Sequence, residues 1–274
     1  MLSGRRVALV CAGQGSQSPG LGGFLKILDD FPVALNLVNE GKAVVGEKRM
    51  EYLLSLLESE DRTVIARTDN TQPLVFLHSC IMGSILKERG IFRMNESVEK
   101  DQQIHCVFGH SLGEYAALVL SGALKFTDGL DLVEKRGKAM QQVVETELGE
   151  FAMYAVLPIT SCRGEEFADK LAETCKKASS ETGKVCQIAN INSDSQIVIS
   201  GDKSALDLAI SLGKSDEFGK YIRRKVPLQV GAPFHCSLLQ PAQEILQKEV
   251  QNTVLSPFSV PFISTIKGKK ESKP

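Results

Sequence analysis

The stretch Val107-Phe108-Gly109-His110-Ser111-Leu112-Gly113-Glu114-Tyr115-Ala116-Ala117 constrains this chain more than any other. An apolar run ends in a Gly-x-Ser-x-Gly pentapeptide and continues at once into good helix formers. Ile104 to Phe108 predicts a short buried strand and Leu112 to Leu120 a helix, so Ser111 falls in the tight junction between them. Glycines on either side let strand and helix approach without a Cβ clash, and α/β folds expose a nucleophile at such a turn. The unpaired N–H groups and positive dipole end of the helix favour an oxyanion there, with the N–H of Leu112 as the natural donor. The competing reading is a chance match in an ordinary turn, and the flanking strand and helix separate the two.

At 274 residues and 43% hydrophobic, the chain can bury one large core and a smaller subdomain. A formal net charge of -1 gives no drive toward nucleic acid or an anionic membrane. Arg223-Arg224-Lys225 and the tail lysines Lys267, Lys269, Lys270 and Lys273 are local basic clusters of the kind usually solvated. The seven cysteines, Cys11, Cys80, Cys106, Cys162, Cys175, Cys186 and Cys236, form no CxxC pair, and several lie in apolar runs. This usage reads as a reducing compartment without a zinc site. No apolar run reaches about 18 residues, so no membrane span is expected. Val7 to Cys11 already reads as a core strand, so no secretory signal is expected either.

Arg6 to Cys11 predicts a buried strand running into the turn Ala12-Gly13-Gln14-Gly15-Ser16-Gln17-Ser18-Pro19-Gly20. Ser18 stands where a dinucleotide fingerprint needs its third glycine, but free N–H groups beside a strand end suit an anion or oxyanion. Helices are expected over Phe24 to Asn39, Lys48 to Ser59 and Pro73 to Arg89, the last capped by Thr71. A polar loop follows over Glu96 to Gln103, then the serine junction and a helix from Asp128 to Val144 with Arg136 and Met140 on one face.

After Gly149 the order becomes strand Phe151–Leu157, helix Gly164–Ala178, strands Val185–Ile191 and Gln196–Ile199, a helix capped by Asp202, and strand Tyr221–Val226. That is βαββαβ, a ferredoxin-like unit. The expected division is a discontinuous large α/β domain, 1–149 with 227–274, and a small subdomain over 150–226. Ala232-Pro233-Phe234-His235-Cys236, a helix Leu238–Val250 and a short strand Val260–Ser264 return the chain to the large domain.

A serine nucleophile needs a base. Of the four histidines, His78 lies in a helix, His105 on the strand before Ser111, and His110 beside Ser111 with a diverging side chain. These three read as structural. His235 lies in a loop before a helix, and loops commonly carry function. Patterning alone leaves it balanced between base and bystander.

Five segments in order carry a resemblance over nearly the whole chain: GQGSQ at 13–17, GHSLGEYAAL at 109–118, RGKAMQ at 136–141, SQIVISG at 195–201 and APFHCSLLQPA at 232–242. Together they resemble the malonyl-CoA:acyl carrier protein transacylase family. The resemblance implies an α/β-hydrolase-like core with an inserted ferredoxin-like subdomain. It implies Ser111 as the acylated nucleophile, His235 as its base, and the backbone N–H groups of Gln14 and Leu112 as oxyanion hole. Arg136 would grip the malonyl carboxylate bidentately, which lysine cannot do. Phe234, with Met140, would line the acyl pocket and disfavour a branched unit, a discrimination of about 1–3 kcal/mol for one methyl. The implied partners are malonyl-CoA and acyl carrier protein, the implied pathway is fatty-acid synthesis, and no cofactor is needed beyond the coenzyme A thioester. A monomer is expected.

The pattern departs from the family in three places. Thr265 stands where asparagine is usual, Ala12 where proline or serine is, and the family continues past Pro274 with a glutamine that orients the histidine, a core strand and a terminal helix. The expectation is a core cut short at its C-terminal end, with Lys267 to Pro274 a charged tail. Two alternatives remain. One is a serine hydrolase or thioesterase, whose acid would be Asp194, Asp202, Asp207 or Asp216; the other is a truncated non-catalytic relative that binds the carrier protein. The polar loop before the serine points to a mitochondrial-matrix form, with a bacterial-type cytoplasm or plastid as the alternative.

Overall fold

Strand β1 (Val7–Cys11) pairs in parallel with β2 (Ile104–Gly109), bringing Cys11 opposite Gly109. On the other side of β2, Phe262 forms a parallel bridge with Val107, and the Val107 N–H donates to Pro261 O at 2.8 Å. The computed structural model describes residues 7–17, 20–91, 104–146, 149–271 and 273–274; Ser18 of the turn and the polar loop expected over 96–103 lie outside them. The chain divides into two compact units, Met1–Lys138 with Leu246–Pro274, and Ala139–Ile245.

In the first unit the parallel strands carry helices α1 (Pro32–Val45), α2 (Glu47–Leu57), α3 (Arg62–Ala66), α4 (Thr68–Glu88), α5 (Gly113–Leu120) and the start of α6 (Phe126–Thr146). Met50, Leu53, Phe76, Leu77, Val107, Leu112 and Leu130 are buried in one cluster between them. The helix expected over Phe24–Asn39 is instead a 3-10 segment, Leu21–Asp30, followed by α1. Pro32 causes the break: it forces the preceding Phe31 into extended backbone (φ -126, ψ 90) and then serves as the preorganised first residue of α1.

Helix α4 also begins earlier than expected, at Thr68, so Thr71 is not its cap. Thr71 is buried, and its hydroxyl donates to the carbonyls of Ile65 and Arg67. Pro73 consequently sits inside the helix, where its missing N–H frees the carbonyl of Asp69. Arg49 of α2 takes that carbonyl, its Nη2 donating at 2.6 Å, while Nη1 bonds Asn70 Oδ1 at 3.0 Å and Nε bonds Glu134 Oε1 at 2.9 Å. One guanidinium therefore ties α2, the start of α4 and α6 together. The tail is structured as well. β7 (Ile263–Ser264) and β8 (Lys269–Lys270) form a short hairpin, so the charged segment is not a free end, because its backbone finds partners in Ser264 and Phe262.

The second unit follows the chain order β3 (Phe151–Pro158), α7 (Gly164–Thr182), β4 (Cys186–Ser193), β5 (Gln196–Asp202), α8 (Lys203–Gly213), β6 (Ile222–Pro227). Its antiparallel sheet has the order β4-β5-β3-β6. Strand alternation sends Tyr154, Val156, Ile197 and Ile199 to the face covered by α7 and α8. The opposite residues Met153, Ala155 and Val198 pack with Ala139 and Val143 of α6, Phe234, Leu239 and Ala242. This second covered face is why the unit extends beyond 150–226 on both sides. Asp202 occupies the N-cap position of α8 but makes no side-chain cap bond; its carboxylate accepts the Val185 N–H at 2.9 Å instead. The helix near the C-terminal end of this unit starts as a 3-10 turn, Ser237–Leu239, and continues as α9 (Gln240–Gln251). Among the described residues no helix is long and apolar enough to cross a membrane.

Two outcomes follow from these ties. Arg49→Met strips the buried Glu134 carboxylate of its guanidinium and should cost about 2–3 kcal/mol in urea unfolding, below the full penalty for breaking a buried pair because Lys138 still bridges Glu134 at 2.9 Å. In the second unit, partial burial opposes ionisation of Asp207, but bonds from Lys225, Lys203 and Tyr154 outweigh it and hold the carboxyl at about 2, below the ordinary 3.8. A depressed folded-state pKa stabilises above the unfolded value and the gain is lost on protonation. The melting temperature should therefore fall as pH drops from 3.8 toward about 2, and fall less steeply in Asp207→Asn.

Candidate active site

Ser111 is held by a backbone crossing. A Cβ on Gly113 would lie 2.2 Å from Cys11 O, and one on Gly109 would lie 2.1 Å from the carbonyl of Gly113. With no side chain at either position, α5 starts directly over the end of β1, and the three residues between, His110 to Leu112, must reverse the chain. Ser111 does so at φ 51, in the left-handed region that costs a non-glycine residue about 1–3 kcal/mol. The side chain of Ser111 is half-buried, and Leu112 behind it is buried at the N-cap of α5, where a backbone N–H has no carbonyl one turn upstream.

The glycine turn after β1 lies against this junction. The His110 N–H donates to Cys11 O at 3.1 Å, and Gly13 packs against the His110 carbonyl. Within the turn, Ser16 N and Oγ both donate to Gly13 O, at 3.3 and 2.7 Å, and Gly15 N donates to Gln17 Oε1 at 2.7 Å. Gln14 is half-buried, and its Oε1 accepts from Gln72 Nε2 of α4 at 3.4 Å. The structure thus brings Gln14, Ser111 and Leu112 to one end of the parallel strands.

Arg136 lies on α6 in the same unit. Gly137 beside it packs on the start of α4, where a Cβ would come within 2.9 Å of Thr68 O. The Arg136 guanidinium is buried, 5.9 Å from the centre of the Tyr115 ring one turn beyond Ser111. Among the described residues no carboxylate lies against it. Burial pushes its pKa below the usual arginine value, with Tyr115 acting in the opposite sense. Burial likewise raises the Tyr115 hydroxyl, with Arg136 opposing. Tyr115 lies four residues past Ser111 inside the GHSLGEYAAL segment, but nothing in the sequence singles it out as a neighbour of Arg136. Glu114 is a second unanticipated partner: its Oε1 accepts from Thr265 N at 2.9 Å and Thr265 Oγ1 at 2.6 Å, tying the β7 hairpin to α5.

His235, Phe234 and Met140 belong to the second unit. His235 is exposed, with φ 58; it is one of three non-glycine residues with left-handed backbone among the described residues, the others being Ser111 and Lys220. Phe234 is buried in the cluster under the sheet, and Met140 packs against the same cluster. Past the histidine, the Cys236 thiol donates to Pro233 O at 3.2 Å and Ser237 N donates to Gln187 Oε1 of β4 at 2.8 Å. His78 is half-buried in α4, and burial lowers its pKa; His105 and His110 are exposed. Of the carboxylates considered as a triad acid, Asp202 is engaged by Val185 N, Asp207 by two lysines and Tyr154, and Asp216 by Lys220. Among the described residues no group of three or more His, Cys, Asp or Glu is placed to hold a metal ion.

The acyl transferase domain family matches residues 8–274. The malonyl CoA-acyl carrier protein transacylase of Haemophilus influenzae is 32% identical over 98% of this chain and 77% of its own length. The solved structure of MCAT from Streptococcus pneumoniae superposes with a TM-score of 0.74 at 34% identity, covering 94% of this chain and 73% of that one. A malonyl-transacylase in complex with its type II PKS acyl-carrier protein gives a TM-score of 0.78 at 28% identity, covering 98% and 77%.

The crossing makes a sharp demand on sequence. Gly113→Ala should destabilise the chain by about 3 kcal/mol or more, since overpacking against backbone cannot relax by side-chain rotation. Gly23→Ala, with nothing within 4 Å of its added Cβ, should change urea unfolding by less than about 0.5 kcal/mol.

Proposed function

Because the chain belongs to the malonyl CoA-acyl carrier protein transacylase family of acyl transferase domains, we propose that it moves a malonyl group from malonyl-CoA to the phosphopantetheine thiol of acyl carrier protein. The transfer serves fatty-acid synthesis and proceeds through an ester on Ser111. The observation that carries the substrate choice is Arg136: a buried guanidinium facing an aromatic ring, with no acid beside it among the described residues. A buried cation is costly unless paired, and a malonyl carboxylate supplies the pair in bidentate geometry.

In the acylation half, Ser111 Oγ bonds to the malonyl carbonyl carbon while His235 accepts the hydroxyl proton. The tetrahedral oxyanion is met by the N–H groups of Gln14 and Leu112. Collapse breaks the carbon–sulfur bond, and His235 returns the proton to the departing CoA thiolate. The carrier-protein thiol then attacks the ester with its proton taken by His235, and Ser111 regains a proton as it leaves. Atoms and charge balance over the two halves without a metal or redox cofactor. Phe234 and Met140 line the acyl pocket in this reading.

The same reading takes the first unit as a hydrolase-like core and the 150–226 stretch as a ferredoxin-like insert between 1–149 and 227–274. The βαββαβ chain order and the sheet order β4-β5-β3-β6 support the insert. The polar segment 96–103 is the support for a mitochondrial-matrix compartment.

Intact-mass measurement after mixing with malonyl-CoA tests the proposal. One malonyl adduct should form, vanish in Ser111→Ala, and pass to acyl carrier protein on addition. In Arg136→Ala malonyl loading should slow by about tenfold or more, the worth of a charge-assisted pair, while acetyl loading from acetyl-CoA does not fall in step. Release of free malonate without transfer to the carrier would overturn it in favour of a hydrolase.

A further inference from the structure

The backbone at His235 is strained, and strain persists only where neighbouring contacts over-determine it. Those contacts can be traced. On the N-terminal side, Phe234 is buried under the sheet with Met153, Ala155 and Val198, and its N–H donates to Ala232 O at 3.0 Å. On the C-terminal side, the next two residues each meet one member of a cross-strand pair. Gln187 of β4 and Ser200 of β5 stand directly opposite each other in the antiparallel register. Gln187 Oε1 accepts the Ser237 N–H at 2.8 Å, and the fully buried Ser200 hydroxyl, which has no conventional hydrogen-bond partner, faces the Cys236 thiol.

Ser237 opens the 3-10 turn that leads into α9, and its N–H is one of the orphan donors of that turn. A backbone N–H two residues after a left-handed residue is a sensitive lever. If it is released, the peptide planes on either side of His235 can rotate back toward ordinary φ, and the imidazole swings with them. Gln187 reaches this N–H from β4, the strand at one edge of the sheet, so the tether is anchored in the sheet while the histidine it serves remains exposed.

We propose that Gln187 is a positioning residue for His235: the residue stands opposite Ser200 in the sheet, and its side-chain carbonyl clamps the Ser237 N–H and thereby holds the histidine loop in its left-handed conformation. The inference rests on the assignment of His235 as the base of the acyl transfer. Gln187 touches no reacting atom in this role. Its effect belongs in the rate of acylation and not in the binding of the thioester, because orientation of a base lowers the barrier without changing the contacts that hold substrate.

Two exposed-site variants separate positioning from packing. Gln187→Met keeps the length of the side chain and loses the acceptor; Gln187→Glu keeps an acceptor oxygen. Formation of the malonyl adduct from malonyl-CoA should slow by roughly fivefold in Gln187→Met, the size expected for one neutral hydrogen bond, with half-saturation unchanged. Gln187→Glu should return the rate to within about twofold of the parent, and both variants should melt within about 2 °C of it. A Gln187→Met protein that acylates at the parental rate overturns the proposal, and so does an equal loss in both variants. A second readout does not depend on acyl transfer: carbethoxylation of His235 by diethyl pyrocarbonate, followed by peptide mass, should change rate in Gln187→Met and not in Gln187→Glu. If the parent forms no malonyl adduct while this histidine readout still separates the variants, the functional assignment fails and the positioning role stands; no separation in either readout removes it.

Discussion

The carbonyl of Cys11 sits where a side chain on Gly113 would have to be, and the rest of the first unit is arranged around that contact. The same carbonyl accepts the His110 N–H, so the end of β1 is bonded to the residue before the serine and roofs the helix that follows it. Helix α5 can then begin four residues after β2 ends, leaving only His110, Ser111 and Leu112 to turn the chain. Ser111 takes a left-handed conformation as a consequence of this packing, and the cost of about 1–3 kcal/mol is offset by burying Val107, Leu112, Ala116 and Ala117 around the crossing.

Two arginines in the same unit show how burial and partners decide what a guanidinium can do. Arg49 is committed: each nitrogen meets an oxygen of α4 or α6, and it compensates both a buried Glu134 and the carbonyl that Pro73 leaves unbonded. Arg136 is more buried, yet among the described residues its neighbour is the face of Tyr115 and not an acid. A cation over an aromatic ring recovers only part of the hydration it has lost, about 2 kcal/mol at most sites of this kind, which leaves a strong preference for an anion to complete the pair. The brace supplied by Arg49 fixes α6 two residues from Arg136, so the committed arginine positions the uncommitted one.

Much of this was legible in the sequence because it depends on local pattern. The apolar run, the paired glycines and the helix formers placed the β2–Ser111–α5 junction to within a residue, and the βαββαβ order emerged from alternation and periodicity alone. What escaped depends on which particular groups meet once the chain is folded. Thr71 looks like a cap until the carbonyls of Ile65 and Arg67 are seen to take its hydroxyl. Asp202 occupies the capping position, but a backbone N–H seventeen residues away claims its carboxylate. Glu114 and Tyr115 lie inside the GHSLGEYAAL segment and Gln187 in no motif, but none is marked by sequence as a site residue; each matters through a contact with Thr265, Arg136 or Ser237 that only the folded chain creates.

The two residues assigned to proton transfer and nucleophilic attack share a backbone conformation but not the means of holding it. Ser111 is fixed by the absence of side chains: the glycines admit a carbonyl, and no substitution there leaves the crossing intact. His235 is fixed by the presence of side chains, with Phe234 buried on one flank and Gln187 bonded on the other. A constraint built from missing atoms is all or nothing, because a Cβ either overlaps backbone or does not. A constraint built from an exposed hydrogen bond can be weakened by degrees, since replacing its acceptor removes one interaction and leaves the core untouched. Variation within this chain that alters the rate of transfer without unfolding it therefore has its natural location around His235, and the junction at Ser111 has almost none.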